Sequence, residues 1–97
     1  LMRRAYNNYW SPLGYIDGDT IYSNDGNVLG FYADNNIYNP YGYRLGYYDG
    51  NRLYNHYGEY NGYLNNNVVY NSYNSPVGFL DNSLDFLLAL ALLFFFL

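Results

Sequence analysis

His56 is the one histidine of the 97-residue chain, so it alone could act as an imidazole base or ligand. It stands where related stretches carry Asn24, Pro40 or Ser72, which points to an ordinary surface turn residue. The carboxylates Asp17, Asp19, Asp25, Asp34, Asp49 and Asp81 fall in or beside predicted turns, where Asp bonds the nearby backbone. The DGD at 17–19 and the NDG at 24–26 resemble pieces of calcium loops. Neither has the ligand spacing of an EF-hand. No Ser, His and acid combination assembles with specificity, and the glycines read as turn punctuation rather than a phosphate cradle. Absence of cysteine excludes disulfides and a thiolate zinc site. The chain reads as a non-enzyme with no cofactor and no metal.

The formal net charge is −4, only 12% of residues are charged, and lysine is missing. That composition leaves no electrostatic footprint for nucleic acid and no basic patch for anionic lipid. Aromatic residues make up 24% of the chain, the opposite of a disordered composition. No N-x-[ST] sequon occurs, so standard N-glycosylation is not expected. The chain opens on Leu1 rather than Met, which suggests a processed product or a fragment.

The elements that would carry any function repeat. Gly14, Gly30, Gly46, Gly62 and Gly78 recur every sixteen residues, and such a period marks one supersecondary unit copied along the chain. Counting from each glycine, positions 5 and 6 are Gly, Asp, Asn or Ser, the residues of a two-residue hairpin turn. That turn sets the register. Position 3 faces position 8, pairing Ile16 with Ile21, Tyr32 with Ile37, Tyr48 with Leu53 and Leu64 with Val69. Position 2 faces position 9, pairing Tyr15 with Tyr22, Phe31 with Tyr38, Tyr47 with Tyr54, Tyr63 with Tyr70 and Phe79 with Phe86. Alternate residues of a strand point to opposite faces, so each hairpin has an aliphatic face and an aromatic face. Positions 11–14 form a second turn, with Gly26, Gly42, Gly58 and Asn74 at its left-handed position.

Residues 5–13 fit the second half of a unit and residues 78–86 the first half of another. Four whole units (14–29, 30–45, 46–61 and 62–77) plus complementary halves make five. The expectation is an all-β fold of five hairpins in a closed ring, with the strand near Tyr6 pairing near residues 78–80. A β-solenoid is the alternative. Residues 1–4 are assigned to an N-terminal extension, 5–86 to the repeat domain and 87–97 to an apolar tail.

The pattern G-[YF]-[IYL]-[DN]-[GN]-x-x-[ILV]-Y-[NS], together with Phe94, Phe95 and Phe96, resembles the five-fold β-flower proteins. The resemblance implies a small secreted bacterial protein with this fold, and it implies no biochemical activity.

The run FLLALALLFFFL at 86–97 is twelve apolar residues long. A membrane-spanning helix needs about twenty. An extended strand of this length would reach roughly 40 Å at about 3.3 Å per residue. The tail is therefore expected as an extended strand, buried in its own ring, in a neighbouring subunit or in a membrane. Insertion into a neighbour is the preferred reading, with Phe86, Leu88, Leu90, Leu92, Phe94, Phe95 and Phe96 as the assembly contacts. Asp85 takes an aliphatic position opposite Leu80 and is expected to mark where the tail departs, paired with Arg3 or Arg4. A surface pair of Glu59 with Arg44 or Arg52 is also expected.

These features suggest an extracellular structural subunit that polymerises with copies of itself through the tail and tyrosine-rich surfaces, without nucleic acid. The alternative is a secreted monomeric binding module for carbohydrate, with tyrosines stacking on sugars and Asn39, Asn55 and Asn71 bonding hydroxyls.

Overall fold

Alternating aromatic and aliphatic residues, cut every few positions by Gly, Asn or Asp, fold into ten short strands in a computed structural model that describes residues 2–97. The strands are β1 (Arg3–Tyr6), β2 (Pro12–Asp17), β3 (Thr20–Ser23), β4 (Val28–Ala33) and β5 (Asn36–Tyr38). They continue as β6 (Arg44–Asp49), β7 (Arg52–Asn55), β8 (Tyr60–Asn65), β9 (Val68–Asn71) and β10 (Pro76–Leu80). Each strand pairs antiparallel with its chain neighbour, and β1 pairs with β10, so the sheet closes into a barrel without free edges. The solenoid alternative is thereby set aside. Leu1 of the expected N-terminal extension lies outside the described residues, while Arg3 and Arg4 are part of β1.

Within the hairpins, Ile16 lies opposite Ile21, Tyr32 opposite Ile37, Tyr48 opposite Leu53 and Leu64 opposite Val69. At the seam, Ala5 stands opposite Leu80 and Tyr6 opposite Phe79. Two expected partnerships therefore fail, because Phe86 does not face Phe79 and Asp85 does not face Leu80. Strand β1 takes those places. The second half missing from the last unit is supplied by the first residues of the chain.

Between hairpins the register shifts by one residue in all five connections, skipping Leu13, Leu29, Leu45, Asn61 and Val77. A β-bulge adds local twist and re-aims a side chain. Four of the bulged residues pack against the core. The fifth, Asn61, carries a buried Oδ1 with no hydrogen-bond partner.

The repeating glycines do not punctuate turns. They sit inside β2, β4, β6, β8 and β10 and are buried. A Cβ on Gly14 would lie 2.3 Å from the Phe96 ring, one on Gly30 2.6 Å from Phe95 and one on Gly46 2.8 Å from Phe94. One on Gly78 would lie 2.5 Å from Leu92. Real side chains do not approach so closely, so the missing Cβ makes room for the tail.

That tail is not an extended strand. It enters the barrel as helix α1 (Phe86–Ala91) and ends in a wider π turn, Leu92–Phe96. A lone strand inside a barrel would bury unpaired backbone amides and carbonyls, whereas a helix bonds most of its own. Leu88, Ala89, Leu90, Ala91 and Leu92 are wholly buried within the same chain, against Ile16, Ile21, Ile37, Leu53 and Val69. Eleven helical residues also span about half the length of a strand of the same size, which suits a disc measuring 30 × 30 × 19 Å.

The π turn suits its surroundings. Leu92, Phe94, Phe95 and Phe96 address Gly78, Gly46, Gly30 and Gly14, stepping back round the ring against chain order. An α-helix completes a turn in about 3.6 residues, and the wider π-helix needs more. Widening lets successive residues meet successive hairpins.

Two substitutions test this packing by urea unfolding. Gly46→Ala, whose Cβ would also meet the Tyr54 carbonyl oxygen at 2.5 Å, is expected to cost about 1–3 kcal/mol. Asn61→Leu, matching the residue at three of the other bulges, is expected to raise stability by about 1–3 kcal/mol through removal of the orphaned oxygen.

Candidate functional site

A barrel filled by its own tail leaves its rims and outer wall for function. The up-and-down order places the hairpin turns at one rim and the connecting turns at the other. Asp17, Asp19, Asp34, Asp49 and Asp81 gather at the hairpin rim. Among the described residues, the side-chain carboxylates of the connecting rim are Asp25 and Glu59, and the rim is aromatic.

Each connecting turn is closed by a backbone bond, with the amides of Trp10, Gly26, Gly42, Gly58 and Asn74 donating to the carbonyls of Asn7, Ser23, Asn39, Asn55 and Asn71. The donor residue has positive φ in every turn, from 64° at Trp10 to 87° at Gly42. For Trp10 that backbone is strained, and stacking on Phe79 at 4.8 Å holds its ring. The residue before it is the apex of the turn. Tyr9, Tyr41, Tyr57 and Tyr73 occupy this place and are 88%, 86%, 77% and 87% exposed. Trp10 and Tyr43 on the same rim are also exposed.

The asparagines below these apices are not free for a ligand in the way expected from sequence. Asn39 Oδ1 accepts from the amides of Tyr41 and Tyr43 at 3.0 Å each. Asn55 does the same for Tyr57 and Glu59, and Asn71 for Tyr73 and Ser75. Their carbonyl oxygens are spent on presenting the tyrosines.

On the outer wall the pairs Tyr15–Tyr22, Tyr47–Tyr54 and Tyr63–Tyr70 stack at 5.0, 5.2 and 4.7 Å. Phe31 lies opposite Tyr38, and Tyr63 Oη donates to Asn74 Oδ1. Such stacked pairs add about 0.5–1.5 kcal/mol beyond their burial.

Of the tail residues expected as assembly contacts, Leu88, Leu90 and Leu92 are wholly buried, and Phe86, Phe94, Phe95 and Phe96 pack on the core. Phe86 stacks on Tyr48 at 5.2 Å. Among the described residues the tail is thus packed inside its own barrel and not extended toward a neighbour.

The expected pair of Glu59 with an arginine is replaced by other contacts. Glu59 Oε1 accepts from Asn55 Nδ2 at 2.8 Å, Arg44 donates to the His56 carbonyl at 3.1 Å, and Arg52 lies over the Tyr60 ring. His56 packs against Tyr57 with centroids 3.8 Å apart and lines a cleft of about 510 Å³ with Asn39, Tyr43, Arg44 and Leu45. Among the described residues no three acidic or imidazole groups come together to hold a metal, and no helix is long and apolar enough to cross a membrane.

A family model described as "5-fold beta-flower protein" matches residues 2–97. The chain belongs to that family. Comparison with curated proteins and with solved structures finds no match for it.

One ion pair ties the plug of this beta-flower protein to its wall. Asp85 accepts from Arg3 Nε at 2.8 Å and Nη2 at 3.1 Å, and it caps α1 by accepting from the Leu88 amide at 3.1 Å. Between the two arginines expected as partners, Arg3 takes the role. The Asp85 bond is the main cause that raises the Arg3 pKa above its ordinary value, so Arg3 stays charged at any pH at which the protein is handled. Desolvation first, and Asp81 second, raise the pKa of the Tyr6 hydroxyl at the seam.

Asp85→Ala removes a helix cap and a charge-assisted pair together. It is expected to cost about 2–4 kcal/mol and to lower the thermal midpoint followed by near-ultraviolet circular dichroism. Asp81→Ala, on the exposed loop beside it, is expected to shift the midpoint far less.

Proposed function

We propose that this beta-flower protein is a non-catalytic binding module that works outside the cell and engages carbohydrate through its aromatic rim. The observation that carries the reading is the set of turn-apex tyrosines, Tyr9, Tyr41, Tyr57 and Tyr73, each more than three-quarters exposed. Burial would stabilise such rings, and their exposure at one recurring place is a mark of contact surfaces. Tyrosine offers a flat apolar face for the C–H side of a pyranose and a hydroxyl for its edge.

Rigidity supports the same reading. The tyrosines stand on turns closed by backbone bonds and by Asn side chains, above a closed sheet with a filled interior. A preorganised surface loses little conformational entropy on binding. Repetition of the apex round the rim suits a polymer that repeats its own contacts, since weak sites joined on one ligand reinforce one another.

Self-assembly is the second reading, now carried by the tyrosine-rich rim and wall rather than the tail. The specific feature in its favour is an outer wall of stacked tyrosine pairs. The two readings separate in one experiment that combines sedimentation velocity with binding to insoluble polysaccharides such as chitin and a β-glucan. The carbohydrate reading expects a species near 11.4 kDa that is retained on at least one polysaccharide. Replacing Tyr41, Tyr57 and Tyr73 together by Ser should abolish retention and leave the thermal midpoint unchanged. Large particles that the same substitutions disperse, with no retention, would establish assembly instead.

A further inference from the structure

Repetition supplies an internal control for specificity. Homologous positions in and beside the connecting turns differ sharply from unit to unit. The position of Arg44 is held by Pro12, Val28, Tyr60 and Pro76 in the others, and that of His56 by Asn8, Asn24, Pro40 and Ser72. One groove therefore combines a guanidinium, an imidazole and the exposed Tyr43, over a floor formed by Leu45.

The cleft measures about 510 Å³, within the range of small-ligand sites. Arg44 is held in place by neutral groups. Nη2 donates to the His56 carbonyl at 3.1 Å, Nη1 reaches Asn36 Oδ1 at 3.4 Å, and the guanidinium lies 4.9 Å from the Tyr47 ring centroid. None of these neutralises its charge. A guanidinium has five N–H donors, so these contacts leave others for a ligand. The carboxylate of Glu59, across the neighbouring turn, is engaged by Asn55 Nδ2.

We infer that this cleft binds a carboxylate-bearing sugar, with Arg44 taking the carboxylate and Tyr43 stacking on the ring. The inference rests on the carbohydrate reading of the rim and assigns one groove its ligand class. A guanidinium fork matches a carboxylate in two parallel bonds, while the Leu45 floor accepts the apolar face of the sugar. With Oδ1 of Asn39 occupied by its turn, the amide nitrogen remains as a donor to a hydroxyl. The chain carries a net charge of −4, which disfavours densely charged polyphosphate chains more than a saccharide with a charge on only some residues.

The test is calorimetric titration of the full chain with a glucuronate-containing oligosaccharide and with its carboxyl-reduced counterpart. Wild type should bind the acidic form roughly tenfold more tightly, the size of one charge-assisted contact. Arg44→Gln should erase that preference without changing the thermal midpoint, and Arg44→Lys should restore part of it. Arg4→Gln, on an arginine lying 5.4 Å from the Tyr15 ring centroid, should leave the preference intact. Equal affinity for both sugars, or preference retained in Arg44→Gln, overturns the inference while leaving the rim reading in place. Tighter binding of an oligothymidylate of equal length also overturns it. Failure to bind either sugar overturns the inference, and only the further absence of retention on every polysaccharide overturns the rim reading with it.

Discussion

Everything in this fold depends on one steric constraint: the centre of the barrel must hold a column of side chains at the level of the repeating glycines. Gly14, Gly30, Gly46 and Gly78 each leave a gap that a tail side chain fills, and the carbonyl of an adjacent strand crowds the same point. A single added methyl at any of them would collide with backbone on one side and with the tail on the other. The glycines thus set how closely the strands close and how wide the plug is. Without the plug, the same glycines would leave an apolar hole in which the packing forces have no partner atoms.

Filling the centre decides where function can reside. An empty barrel of this kind would offer its interior to a ligand, and a tail outside it would offer a donor segment to another chain. Neither is available, because the tail is consumed by its own wall. What remains is a rigid disc with an acidic rim, an aromatic rim and a wall of stacked tyrosines. The asymmetry comes directly from the sequence of one unit. Asp and Gly at the first turn favour tight hairpins, whereas Asn, Tyr and Gly at the second build a turn that lifts a tyrosine into solvent.

Much of the architecture was legible from residues because the repeat constrains itself. A one-residue slip would exchange the faces of every strand, so Ile16 opposite Ile21 and Tyr15 opposite Tyr22 followed from the turn residues alone. Closure was legible from the complementary terminal halves. The tail was not, since FLLALALLFFFL has no polar position to reveal a period. Its helix is selected by the backbone bonding it needs inside a closed sheet, which is a tertiary effect. The central glycines misled for a related reason, as glycine serves both tight turns and close approaches. At the rim, the exposed tyrosines could have been found from their place beside a left-handed residue, the apex of a turn. The asparagines could likewise have been assigned from the tendency of Asn to bond amides two residues on. The meeting of Arg44 with His56 could also have been counted from the hairpin register, since Gly46 opposite Asn55 leaves the two side by side just beyond the paired residues.

The most direct test of the central claim is isotope-filtered NMR on an equal mixture of labelled and unlabelled chains. Contacts from the rings of Phe94, Phe95 and Phe96 to the α-protons of Gly46, Gly30 and Gly14 should appear in the uniformly labelled sample. They should vanish when only signals between labelled and unlabelled chains are selected. Their persistence in the filtered spectrum would mean that the plug comes from another molecule, contradicting a barrel filled by its own tail.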